Sequence, residues 1–120
     1  MAGQMVHVEI PAGDTGKARE FWGGLFGWEF QAYEGSPTEY HMTRFSETTG
    51  GAITEADGAK RGARVYFDVD DINAGVSRVK ELGGETSDAM AVPSMGWFAT
   101  CSDTQGNSFG LWQTDPSASM

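Results

Sequence analysis

His7 and Glu9 stand two residues apart in a run, Val6 to Ile10, that alternates apolar and polar side chains. On a strand this spacing puts an imidazole and a carboxylate on one face, where the pair can pass a proton beside a carbonyl group. The same pair could supply two ligands of an unorthodox metal site, with Asp68 and His41 as further donors. A second alternating run, Arg64 to Val69, carries Arg64, Tyr66 and Asp68 on one face. Arg64 is either neutralised by Glu9 and Asp68 or grips a ligand carboxylate or phosphate through paired hydrogen bonds. Tyr66, Trp97 and Trp112 are large amphipathic rings of the kind that line concave small-molecule sites.

Other chemistries are excluded. Gly106, Ser108 and Gly110 match G-x-S-x-G, but a nucleophile elbow needs a following helix and later Asp and His partners, and no histidine follows His41, so a serine hydrolase is not expected. Cys101 is the single cysteine and reads as a small buried residue rather than a nucleophile. It cannot form an internal disulfide or a multi-thiolate metal site. No phosphate-cradling G-x-x-x-x-G-K, dinucleotide G-x-G-x-x-G or zinc-binding H-E-x-x-H is present.

The elements that must position these residues follow from periodicity. Val6 to Ile10 reads as a strand ended by Pro11. Asp14 or Thr15 then caps a helix with an apolar stripe of Ala18, Phe21, Trp22, Leu25 and Phe26, closed by Gly27. Arg64 to Val69 repeats the strand, and Asp70 and Asp71 cap a helix with Ile72, Val76, Val79 and Leu82 as its stripe, closed by Gly83 and Gly84. Three short extended segments follow each helix: Trp28 to Tyr33, Tyr40 to Phe45 and Gly51 to Glu55, then Ala89 to Val92, Trp97 to Ser102 and Ser108 to Gln113. Asp103 to Asn107 is a turn in which Gly106 or Asn107 takes a positive φ.

His7 falls on Arg64 and Asp14 on Asp71 when the halves are superposed, so the chain reads as a divergent tandem repeat. Its parity places Val6, Val8, Ile10, Val65, Phe67, Val69, Phe109 and Leu111 under the helices. His7, Glu9, Arg64, Tyr66, Asp68, Ser108, Gly110 and Trp112 then share the open face.

At 120 residues the chain is one domain with an ordinary core, burying roughly two-thirds of its unfolded surface. Seventeen acids against eight bases give a net charge of −9, which repels phosphate backbones and excludes nucleic acid as a partner. The acidity favours solubility and, secondarily, cationic ligands. The start of the chain has no signal-peptide pattern, and no apolar run approaches a membrane span. These features predict a cytoplasmic protein that does not engage a membrane.

The segments VHVEIPAGD, FWGGLFGWEF, YFDVDDI and GWFATCSDTQGNSFGLW resemble the vicinal oxygen chelate superfamily, which includes glyoxalase I, extradiol dioxygenases and bleomycin-resistance proteins. The resemblance runs from about Val6 to Gln113. It implies an α+β fold of two βαβββ modules in tandem, forming a curved mixed sheet with a cup-shaped site. The modules would span about 5–57 and about 62–113, with 114–120 as a frayed tail. It also implies a homodimer with half of each site from each chain.

The superfamily's metal ligands map onto His7, Arg64 and Gly110, with Glu55 nearest to a further carboxylate used by glyoxalase-like members. Only His7 among the three can ligate, because a guanidinium has no lone pair and glycine has no side chain. The expected protein therefore has no cofactor and binds a small, cationic or aromatic organic molecule in the manner of the bleomycin-resistance branch. His7, Glu9, Arg64, Tyr66, Asp68, Trp97 and Trp112 form its candidate site, with His7 and Glu9 as the catalytic pair if it is an enzyme. The alternative is a metal-dependent lyase, isomerase or dioxygenase of the glyoxalase type.

Overall fold

The computed structural model describes residues 2–56 and 62–119. The chain divides into two compact units, His7–Arg64, and Val65–Met120 together with Met1–Val6. The module limit expected at 57 and the last tail residue, 120, lie outside the described residues.

In the first unit, β1 (Met5–Ala12) leads to α1 (Thr15–Phe26), β2 (Gln31–Ala32), β3 (Tyr40–Arg44) and β4 (Gly50–Glu55). β1 continues past Pro11, where a break was expected, because the Ala12 carbonyl still accepts the Ala56 N–H at 2.9 Å. Of the two candidate caps for α1, Asp14 takes the role by accepting the Lys17 N–H. Gly27 closes the helix in the left-handed region at φ 74°, where a side chain would be strained. β1 and β4 are parallel, while β3 with β4 and β2 with β3 are antiparallel.

The second unit repeats this order with β5 (Arg64–Asp68), α2 (Ile72–Glu81), β6 (Glu85–Thr86), β7 (Met90–Val92), β8 (Gly96–Ser102) and β9 (Ser108–Thr114). Asp71 caps α2 by accepting from Asn73 and Ala74 N–H. β5 and β9 are parallel and β8 and β9 antiparallel. β6 and β7 pair along opposite ends of β8, so together they are one interrupted edge strand. Ser87 joins them by donating its N–H to the Thr100 carbonyl and accepting the Thr100 N–H on Oγ. Each unit is thus a βαβββ module with one parallel and otherwise antiparallel pairs, and the fold is α+β with mixed pairing. Gly106 takes the positive φ expected in the β8–β9 turn.

The helices differ in what they bury. Ile72, Ala99, Cys101 and Leu111 form a buried cluster beneath α2, with Val76, Val79 and Phe109 packed against it. On α1, by contrast, Phe21, Leu25 and Phe26 are 62%, 57% and 57% exposed, so this part of the expected stripe does not face a core. Trp28 packs beside the helix. The Gly27 turn brings it under Trp22, with ring centroids 5.6 Å apart, and against Phe45 at 4.5 Å.

The tail is docked rather than frayed through Ala118. Asp115 donates its N–H to the Met95 carbonyl, Ala118 accepts the Ser94 N–H, and Ala118 is 4% exposed.

Candidate functional site

On the first unit's open face, three rows cross β1, β4 and β3: His7 opposite Gly50 and Arg44, Glu9 opposite Ala52 and Met42, and Pro11 opposite Thr54 and Tyr40. Residues opposite one another in a ladder point to the same side. Gly50, Ala52 and Thr54 are small and buried, so β4 is the floor of a trough walled by the longer side chains of β1 and β3. Tyr40 reaches across it. Its hydroxyl lies 2.5 Å from His7 Nε2 and donates to Glu9 Oε2 at 2.9 Å.

One phenol proton cannot serve both neighbours. With it committed to Glu9, Nε2 of His7 must carry a hydrogen and donate to the Tyr40 oxygen, which fixes the neutral tautomer. Burial pushes the His7 pKa below its usual 6.5, while the Glu9 carboxylate pulls it part of the way back. The imidazole is therefore neutral at pH 7. Beneath this chain, Thr54 is 8% exposed and its Oγ1 has no hydrogen-bond partner among the described residues.

Tyr40 was absent from the sequence-derived site. It lies 33 residues from His7, and only the pairing of β1 and β3 with β4 brings the two together. Its place at the head of an alternating segment was the available signal.

His41 does not join this group. It follows Tyr40 and so projects to the helix side, where its Nε2 meets Glu39 Oε1 at 3.2 Å. The same Glu39 oxygen accepts from Thr15 Oγ1 at 2.8 Å. His41 and Thr15 hold the Glu39 carboxyl below the ordinary carboxylate range. Glu55 is on that side too and accepts the Glu39 N–H.

In the second unit, Tyr66 stands opposite Gly110, and Asp68 opposite Trp112, which in turn faces Phe98. Tyr66, Asp68, Gly110 and Trp112 share the open face, as parity predicted, and Phe98 joins them. Tyr66 is 4% exposed and is a buried packing residue rather than a rim. It meets Phe98 edge to face at 6.4 Å. Its ring covers Gly110, where an added Cβ would strike Cδ2, Cε2 and Cγ. Trp112 donates its indole N–H to Thr114 Oγ1 at 2.9 Å.

Trp97 is on the other face. It packs against the α2 core and donates its indole N–H to Asp115 Oδ2 at 3.0 Å, because the β8–β9 register sets Phe98, not Trp97, opposite Trp112. One residue decides the face. Trp97, Asp71, Asp115 and Gln113 line an open hollow of about 400 Å³ at the start of α2. Its groups are largely committed: Asp71 caps the helix, Asp115 holds Trp97 and Ser117, and Gln113 Oε1 accepts the Ile72 N–H.

The positions expected to hold a metal do not suit one. Arg64 cannot ligate, Gly110 offers no donor and is covered by a ring, and the Nε2 of His7 is engaged by Tyr40. Among the described residues, no group of three or more His, Cys, Asp or Glu side chains could hold a metal ion.

The two βαβββ modules are those of the vicinal oxygen chelate superfamily. The chain belongs to the glyoxalase-like domain family, whose model matches residues 6–112. A glyoxylase-like domain-containing protein of Didymella fabae is 34% identical over 120 residues, covering 91% of this chain and 92% of that protein. CFP32 of Mycobacterium tuberculosis (strain CDC 1551 / Oshkosh) is 29% identical over 119 residues, covering 90% of this chain. The chain spans 44% of CFP32, somewhat less than half its length. Among solved structures, methylmalonyl-CoA epimerase from Mycobacterium tuberculosis superposes with a TM-score of 0.71 at 16% identity, over 95% of this chain and 89% of the epimerase. At that identity the likeness speaks for the fold alone. Among the described residues, no helix is long and apolar enough to cross a membrane.

Proposed function

We propose that this glyoxalase-like protein binds a small organic molecule on the open faces of its sheets without a metal ion, acting as a cytoplasmic homodimer. The observation that carries the reading is the chain His7, Tyr40, Glu9 across the trough floored by Gly50, Ala52 and Thr54. Polar groups gathered over a floor of small residues suit ligand recognition better than packing, and the unmet Thr54 hydroxyl is a further polar group to satisfy. Arg64 at the end of the first unit, and Tyr66, Asp68 and Trp112 on the open face of the second, are the other residues of the proposed set, with Tyr66 acting through packing.

Thermal-shift screening of aromatic, cationic and anionic compounds, followed by NMR mapping, tests this. Ligands should perturb the His7 ring and the Tyr40 hydroxyl region, and Tyr40→Phe should weaken them at least tenfold. A response confined to Trp97 and Asp115 would move the site to the helix side. Added nickel, zinc or manganese should leave the melting temperature unchanged, whereas clear stabilisation would favour the metal-dependent alternative. Mass measurement in solution checks the dimer.

The Tyr40 link also favours a second reading, proton transfer beside a ligand carbonyl without a metal. Deuterium uptake from solvent into bound carbonyl compounds, lost in Glu9→Gln, would establish it.

A further inference from the structure

Arg44 extends the trough on its β3 side. It shares a row with Gly50 and His7, and a Cβ at position 50 would stand 3.3 Å from Arg44 Nη1. The guanidinium therefore lies over the gap left by the missing side chain of Gly50, one strand from His7. Its Nη2 donates to the Glu47 carbonyl at 2.5 Å, which fixes the plane of the fork and leaves the remaining N–H donors for other acceptors. Among the described residues Arg44 makes no ion pair. Arg19 differs: its Nε bonds the Thr15 carbonyl on the helix side.

We infer that Arg44 is the anchor for a ligand carboxylate, and that the molecule bound in the first unit is a small oxo- or hydroxy-carboxylate. The inference rests on the proposed site and adds its ligand class. A guanidinium edge recognises a carboxylate through two parallel hydrogen bonds. From Gly50 to His7 is one strand spacing, about 4.8 Å. A carboxylate carrying a carbonyl or hydroxyl oxygen on one of the next two carbons bridges that gap and reaches the Tyr40 and His7 groups. The unmet Thr54 hydroxyl lies in the same trough. The net charge of −9 repels anions at long range, but salt screens such fields within about 8 Å. Short-range contact with Arg44 must therefore hold the anion, a ligand class different from the cationic or aromatic one that the overall charge and the open-face rings suggest.

The experiment titrates 2-oxobutyrate, 2-hydroxybutyrate, methyl 2-oxobutyrate and butylamine into the whole protein, followed by NMR of the His7 ring and the Arg44 side chain. The two acids should shift both residues and bind at least tenfold more tightly than the ester. Arg44→Met should abolish that preference, and Arg44→Lys should retain part of it; Arg44 is exposed, so both variants should fold. Equal binding of acid and ester, or a preference that survives Arg44→Met, overturns the anchor while the ester's effect on His7 leaves the site in place. Tighter binding of butylamine likewise overturns the anchor alone. If none of the four moves His7, both the anchor and the proposed site are overturned.

Discussion

The ring of Tyr66 lies over Gly110, its partner across the parallel β5–β9 pair, and fills the space that a side chain at 110 would need. A glycine at this position thus allows a buried aromatic residue where the superfamily pattern implies a metal ligand. Gly110→Ala should destabilise the protein by about 1–3 kcal/mol through overpacking, read as a lower denaturant midpoint with an unchanged slope. Adding Tyr66→Ala should relieve part of that penalty, giving a favourable coupling between the two changes. Simple additivity would show that the ring moves aside freely.

His7 makes stability depend on pH in a defined direction. Its folded pKa lies below 6.5 because of burial, so above that pH the imidazole is neutral in both states and the contribution is fully present. As the pH falls through 6.5 the unfolded chain takes up a proton that the folded chain refuses, and stability declines until the folded pKa is reached. Urea midpoints between pH 8 and pH 5 should therefore fall more steeply for the parent protein than for His7→Asn. Because His41 is retained in both proteins, parallel curves would exclude this role for His7.

Two apolar residues of the first unit should respond differently to truncation. Ile53 is 1% exposed, and Ile53→Ala should cost about 2–5 kcal/mol. Phe21 sits on the apolar stripe of α1 but is 62% exposed, so Phe21→Ala should cost under about 1 kcal/mol in the monomer. Comparable losses, measured below any dimer dissociation threshold, would show that the α1 stripe is buried after all.

The C-terminal segment depends on Asp115, which takes hydrogen bonds from Ser117 and from the Trp97 indole that hold its carboxyl below the ordinary range. Asp115→Ala should speed amide exchange at Ser94 and Ala118 while leaving the α2 core protected, since local opening need not follow global unfolding. The same loosening should set in as acid protonates Asp115, because a lowered folded pKa means the contribution is lost as pH falls through it. Unchanged exchange in the variant would show that the backbone bonds alone hold the tail.

Much of this architecture is written locally. The alternation around His7 and Arg64, the capping side chains Asp14 and Asp71, and the Gly106 turn are short-range features, and each formed as its residue types dictate. The donor chemistry at the three metal-ligand positions was equally legible, since neither arginine nor glycine can ligate in any fold. What the sequence could not determine was which long side chain crosses to which strand. Tyr40 meets His7 and Glu9 from more than thirty residues away, through a register that no local period reveals. The β8–β9 register likewise turned Trp97 toward α2, and much of the α1 stripe stayed exposed. Strand and helix periods are properties of neighbouring residues. Which faces meet is settled only when distant segments pair, so the sequence set the elements and the available chemistry, and tertiary pairing decided that Tyr40 and Arg44 would join His7.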